Sequence, residues 1–453
     1  MKNNKIFIKF INNGRINKKL FIIIIIFLSN YINKSLIFKI IIKDNTLKNS
    51  KNLGSNNETI INDNKYNISN YTDLIKKLNL FSNQTKKTNI IFTDLYESKS
   101  CFDKNAYILF EYFLNNNLYI PFYIINNESD FYKSLKRQNK TKNLILFNEK
   151  KDDFLEDLYK YLKDTTIVVT SYSLRLLQIV ASFVPFIKFL KINHGIKYFK
   201  FLTAKRDIIK SLENKANVIC SSPFEYQLLT KRLNYSKNQI HNASIVRYER
   251  FQFIKKNDSE KKCILISFTY RSYNRFIFEK SKYKKNLEKL LNDNELIKYL
   301  NNKNIDLIYI PHHEEIDLGK NYSQHIFNYA KIKSQSNLEY YIDQCSLLVT
   351  DFSSICFDFM FQNKPVLYYG IDKNEKFYYV GKKFIHPPND ILYFGNYFSS
   401  KSLLIDKIKY YINNSFELGK ELKKKYESVF FLKKNIVSKI VEIINNIIKN
   451  KMI

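Results

Sequence analysis

A chain of 453 residues with 45% apolar and 16% aromatic side chains has material for more than one packed core, which excludes a disordered or fibrous protein. The 74 Lys and Arg against 42 Asp and Glu leave a formal charge of +32, which suits a polyanionic partner but is spread over the whole chain rather than gathered in a basic module. Five cysteines, at 101, 220, 263, 345 and 356, form an odd set without a C-x-x-C pair and stand mostly in apolar runs. That pattern excludes a disulfide scaffold and a cysteine zinc site, and fits a reducing compartment.

The chain opens with Lys2, Lys5, Lys9, Arg15, Lys18 and Lys19, then an apolar run from Leu20 to Leu28 and a second from Leu36 to Ile42 that Lys39 interrupts. Neither run has the roughly 20 residues of a bilayer span. Residues 1–43 are therefore expected to associate with a membrane as a surface anchor, signal anchor or uncleaved signal-like region, or else to form a first buried helix. Residues 44–88 are rich in Asn, Lys, Ser and Thr without periodicity and are expected to be a polar linker.

From residue 89, short β-branched runs alternate with amphipathic stretches. The pattern predicts strands at 89–93, 118–125, 144–147, 166–170, 189–193 and 217–221, with helices at 106–115, 154–163 and 224–233. A second alternation predicts strands at 263–268, 306–310, 346–350 and 365–369, and helices near 287–300 and at 354–362, 403–412 and 437–448. The expected fold class is α/β: two Rossmann-like domains facing across a cleft, followed by C-terminal helices. Open α/β sheets bind ligands beyond the carboxyl ends of their strands, so a nucleotide-type ligand is expected there.

The most informative turn follows the strand ending at Thr350. Asp351, Phe352, Ser353 and Ser354 lead into a helix apolar on nearly every side, which Pro365 closes. Ser353 is the expected N-cap, and a helix start with two hydroxyls can hold a phosphate. On its own the same pattern also describes an ordinary capped core helix.

The stretch from Val349 to Asp372 resembles the CDP-glycerol glycerophosphotransferase family, enzymes of teichoic-acid-type polymers. The resemblance is carried by Thr350, Asp351, an aromatic, Ser353, Ser354, Phe357, Asp358, Lys364, Pro365, a Tyr pair and Asp372. Further stations follow the family's order: His194 with Gly195, Arg247 with Glu249, Thr269 to Arg271, Pro311 with His312 and His313, and Phe394 with Gly395. Several are altered: Asn193 stands where the family has Trp, Ser244 and Val246 replace Gly and Pro, Phe268 and Tyr270 replace Pro and Trp, and the Lys before the second His is missing.

The resemblance implies a GT-B type pair of domains: an acceptor domain at 89–250, a donor-nucleotide domain at 251–415 and C-terminal helices at 416–453. It implies transfer of a polyol phosphate, glycerol phosphate first, from a CDP donor to a hydroxyl of a glycopolymer or lipid-linked acceptor, with release of CMP. His194 would be the base; His312, or else His313, the second functional histidine. Thr269, Arg271, Thr350, Asp351, Ser353, Ser354 and Asp358 would hold the donor, with Gly195, Arg247, His313 and Lys364 in support. No cofactor, metal or nucleic acid is expected, and the place of work would be the cytoplasmic face of an anionic membrane. A nucleotide-sugar GT-B transferase and a basic membrane-associated binding protein without catalysis are the alternatives.

Overall fold

The computed structural model describes residues 88–96, 99–100, 104–116, 119–147, 154–171, 186–196, 216–231, 233–253, 262–269, 271, 275–312, 329–334, 338–372, 378–379, 382–383 and 394–449. The expected membrane-associating segment 1–43, all of the expected linker but residue 88, Tyr270 and His313 lie outside the described residues.

The first set of parallel strands comprises β1 (Asn89–Thr93), β2 (Ile120–Asn126), β3 (Leu144–Phe147), β4 (Thr165–Thr170), β5 (Lys188–Lys191), β6 (Asn217–Cys220) and β7 (Ile240–Asn242). They form one seven-stranded sheet in the order β3-β2-β1-β4-β5-β6-β7. The second set comprises β8 (Cys263–Ile266), β9 (Asp306–Tyr309), β10 (Lys331–Ile332), β11 (Leu347–Thr350), β12 (Val366–Tyr369) and β13 (Asn396–Phe398), ordered β10-β9-β8-β11-β12-β13. Every pairing within these two sheets is parallel. Both orders reverse direction once, between β1 and β4 and between β8 and β11, as in the doubly wound dinucleotide-binding fold.

The central strands read as unbroken apolar runs because parallel strands are covered on both faces. β1, β8, β11 and β12 are buried at every residue. The helices of the first half are α1 (Asn105–Asn116), α2 (Asp130–Arg137), α3 (Phe154–Leu162) and α4 (Pro223–Lys231). Helix α3 belongs to a separate compact unit, while both sheets belong to the other, Lys86–Lys151 with Asp164–Ile453. The helices of the second half are α5 (Arg275–Lys280), α6 (Lys282–Leu291), α7 (Asn294–Asn302), α8 (Leu338–Gln344), α9 (Ile355–Phe361), α10 (Lys401–Asn413), α11 (Lys420–Glu427) and α12 (Ile436–Lys449).

The single helix expected near 287–300 is two. The side chain of Asp293 accepts from the Leu296 N–H at 3.0 Å and starts α7, so the Asn292–Asp293 pair is a stop and a start rather than a helix interior.

A 3-10 turn, Val246–Gln252, carries the chain from the first sheet to the second. Tyr248 on this turn is fully buried, with its ring 4.7 Å from Phe361 of α9 and 6.0 Å from Phe430. The last helix returns to the first half. Lys188 at the start of β5 donates to the carbonyls of Ile447 and Ile448 near the end of α12, and Glu249 of the linking turn accepts from the Ile436 N–H at 2.7 Å at its start. A cation at a helix C-terminus and a carboxylate at its N-terminus both complement the helix dipole.

Candidate active site

The residues singled out from the second half gather where its sheet reverses. Thr350 ends β11, and its hydroxyl donates to the Ser267 carbonyl just beyond β8 at 2.6 Å, tying the two strand ends together. The next residue, Asp351, accepts from both the N–H and the hydroxyl of Thr269, at 3.0 and 2.9 Å.

Arg271 completes this knot. Its Nη1 donates to Asp351 at 2.7 Å and also to the Thr269 carbonyl, while Nε and Nη2 donate to the two oxygens of Asp372 at 2.7 and 2.8 Å. The guanidinium is wholly buried and lies 4.9 Å from the centres of both the Tyr283 and Phe352 rings. Burial pulls its pKa down, but the carboxylates of Asp372 and Asp351 more than reverse this and hold it well above the usual value. The fork expected to meet the donor is thus engaged within the protein by Asp351, Asp372 and the Thr269 carbonyl. Held by two carboxylates, it braces the loops after β8, β11 and β12 against one another.

Ser353 and Ser354 are half-buried at the start of α9. The N-cap is Ser354, in helical conformation (φ −65°, ψ −13°), and not the expected Ser353; its side chain makes no capping bond. The first turn is closed instead by backbone bonds from Cys356 to Ser353 and from Phe357 to Ser354. Among the described residues neither serine hydroxyl has a hydrogen-bond partner, which leaves both able to bond a ligand.

His194 and Gly195 come to the same place from the other sheet. Two residues after β5, Asn193 is buried and takes a left-handed conformation (φ 55°), with its amide donating to the Ile219 carbonyl at 2.9 Å. Asn is among the few residues that adopt this backbone readily. The turn leaves His194 exposed and Gly195 buried. A Cβ added to Gly195 would stand 3.2 Å from the Ser354 hydroxyl, tighter than ordinary contact, so the glycine lets the histidine and serine turns meet without crowding that side chain.

Behind this contact lies Arg247. Its backbone N–H donates to Asn105, its Nη1 to the His194 carbonyl, and its Nε and Nη2 to the two oxygens of Asp358, at 2.8 and 2.9 Å. Asp358 on α9 is buried, which pushes its pKa up, while Arg247 pulls it back. Lys364 stands apart: its ammonium donates to the carbonyls of Ile342 and Asp343, closing the C-terminal end of α8. His312 is half-buried beyond the end of β9, the strand next to β8, at the same sheet edge as Thr269.

Sequence reasoning missed Asn105, which bonds Arg247, and the depth of Asp372's part in holding Arg271. Asn105 carried no signal, since it reads as the polar start of α1. Among the described residues there is no group of three or more His, Cys, Asp or Glu able to hold a metal, and no helix long and apolar enough to cross a membrane. Cys220, Cys263, Cys345 and Cys356 are unpaired and buried.

Two doubly wound halves, one linking turn and a last helix returning to the first half define the GT-B architecture, with the gathered serine and histidine turns between its sheets. The chain matches the model of the family described as CDP-glycerol:poly(glycerophosphate) glycerophosphotransferase over residues 74–446, and it belongs to that family of transferases. It is 25% identical over 378 residues to the minor teichoic acid biosynthesis protein GgaB of Bacillus subtilis (strain 168), covering 76% of this chain and 39% of that protein. The chain thus spans about two fifths of the length of that curated relative. Among solved structures, the wall teichoic acid polymerase TagF superposes with a TM-score of 0.56 at 14% identity, over 86% of this chain and 100% of that one. An S. aureus MnaA–UDP complex superposes at 0.50 and 13% identity, over 81% of this chain and 99% of that one. These likenesses show the fold.

Proposed function

We propose that the chain transfers a polyol phosphate, glycerol phosphate first, from a CDP-activated donor to a hydroxyl of a glycopolymer or lipid-linked acceptor. The observation that carries this reading is the approach of Gly195 to Ser354, which brings the turn bearing the exposed His194 against the turn whose two serine hydroxyls have no hydrogen-bond partner among the described residues. Family membership supplies the donor class.

In this reading the acceptor oxygen attacks the β-phosphorus of the donor. His194 takes the hydroxyl proton as that bond forms, the role an imidazole fills near neutral pH. The bond from the β-phosphorus to the bridging oxygen breaks, and CMP leaves with the electron pair. Ser353 and Ser354 donate to the diphosphate. Thr269, Thr350, Asp351 and Arg271 fix the loops that place it, which spares reorganisation at the moment of transfer. His312, at the edge beyond β9, is the second histidine on the donor side. Asp358 and Arg247 support from behind, and Lys364 holds α8 in place.

The domain limits proposed are 89–250 for the acceptor half and 251–415 for the donor half, with 416–453 as C-terminal helices of which α12 packs back on the first half. The positive charge of +32 and the name of the GgaB relative favour work on a polyanionic acceptor, and the place of work proposed is the cytoplasmic face of the membrane.

The test is release of CMP by the purified full chain from CDP-glycerol, with CDP-ribitol and nucleotide sugars in parallel. Release from a CDP-polyol is expected; release only from a nucleotide sugar would replace this reading with a glycosyltransferase, and release from none would remove it. His194→Ala should slow transfer by about 100-fold or more while leaving the fold intact.

A further inference from the structure

We propose that Arg247 is a positioning residue that sets the His194 turn against the donor wall by holding both at once. The inference rests on the reading of His194 as the base and extends it to a residue outside ligand reach.

One guanidinium serves two halves of the molecule. Toward the first sheet its Nη1 donates to the His194 carbonyl; toward the second, Nε and Nη2 clasp Asp358 at 2.8 and 2.9 Å. Asp358 lies on α9, the helix that Ser353 and Ser354 lead into. The Arg247 backbone is fixed in turn by Asn105, whose amide also reaches the Asn193 carbonyl at 3.5 Å. The residue before His194, its own carbonyl and the start of the donor helix are therefore all tied to one side chain and its backbone.

The geometry explains how the His194 imidazole can be exposed without being loose. The left-handed Asn193 turns the His194 carbonyl inward to Arg247 while the ring stays outside. Arg247 is 7% exposed and Asp358 1%, so the pair is shielded from solvent. A buried pair of this kind adds little net stability over apolar packing of the same shape, and its worth lies in fixed direction. Lysine cannot replace it, because a single ammonium on a flexible stem cannot clasp a carboxylate with two parallel bonds and hold a carbonyl on the opposite side.

The experiment compares Arg247→Lys and Asp358→Asn in the full chain, alone and each combined with His194→Ala. The readouts are kcat and donor KM for CMP release, and amide hydrogen exchange of the peptide holding His194 and Gly195. Arg247→Lys is expected to lower kcat about 100-fold with KM changed less than about threefold, the cost of misplacing a reacting group by roughly 1 Å. Asp358→Asn should cost about tenfold, since Arg247 keeps its bond to the His194 carbonyl. Neither should slow the His194→Ala protein further, because the effect runs through that histidine. Exchange at the His194–Gly195 peptide should quicken in both variants.

A fall in melting temperature with kcat unchanged would make Arg247 a structural brace and overturn the proposal. So would an equal further loss in the His194→Ala background. If the wild-type chain released no CMP, the functional reading would fall, and exchange alone would decide the latch: unchanged exchange in Arg247→Lys overturns it, faster exchange upholds the geometry.

Discussion

The two sheets share one strand order and differ in what occupies the point where that order reverses. In the first, the loop after β1 carries Asp94, whose carboxylate accepts from the N–H groups of Ala106 and Tyr107 at the start of α1, at 2.9 and 3.0 Å. It also accepts from the Tyr123 hydroxyl at 3.0 Å and the Ser171 hydroxyl beyond β4. The protein's own carboxylate thus fills the place where a doubly wound fold would bind a phosphate. In the second, the carboxylate follows the strand on the other side of the reversal: Asp351, after β11, turns back to Thr269 and Arg271 beyond β8, and the two serines at the start of α9 keep their hydroxyls unspent among the described residues. Two copies of one architecture are made unlike by which strand of the reversal carries the aspartate: after β1 it plugs the first, after β11 it braces the second open.

The largest effect should come from removing the brace. Arg271→Met leaves Asp351 and Asp372 as buried carboxylates without their cation, and the expected loss of stability is about 3–5 kcal/mol. Urea unfolding measures it. A loss below about 1 kcal/mol would mean the second switch point does not depend on this knot.

Asp94→Ala should cost less, about 1–3 kcal/mol, because it strands two helix N–H groups and two hydroxyls but no opposite charge. The comparison also demands that it leave CMP affinity unchanged. A change in CMP binding on this substitution, read by calorimetry, would break the assignment of the nucleotide to the second sheet.

Ser354→Ala removes a hydroxyl that bonds no other group among the described residues, so unfolding should hardly move. If that hydroxyl meets the donor, KM for CDP-glycerol should rise by about five- to tenfold, the value of one hydrogen bond near 1 kcal/mol.

How much of this was legible follows from burial. The sequence-derived strands at 89–93 and 144–147 have the observed limits, and those at 166–170, 217–221 and 346–350 are within a residue of them, because a two-face-buried strand writes itself as an apolar run. Helix α11 escaped because Tyr426 is its only buried residue among many lysines, and β13 because three residues at a sheet edge show no period. In the site, the residues were visible but their directions were not. Nothing in the string places Asp372 on Arg271, or Asp358 on Arg247, pairs separated by 101 and 111 positions that meet only through the fold. The serines and the histidine–glycine pair were legible through the family's order, and the contact between them through the structure alone.

The seventh strand is the other place where the sheets differ, and it yields the smallest expected effect. β7 adds an edge to the first sheet just before the linking turn, and on it His241 meets the Asn217 side chain at 2.9 Å from Nε2. Burial lowers the pKa of this imidazole from 6.5. The folded state therefore favours the neutral ring, and as pH falls through 6.5 the unfolded chain takes up the proton first. The stability that His241 contributes is complete above its unfolded value and is lost as pH drops through the lower folded value. His241→Gln keeps an amide donor for Asn217 but does not titrate. Unfolding measured at about pH 7.5 and about pH 5.5 should show the wild type losing more stability than the variant on acidification. Equal losses would mean that the β7 edge opens freely, and that the strand setting the first sheet apart from the second is not held where the linking turn begins.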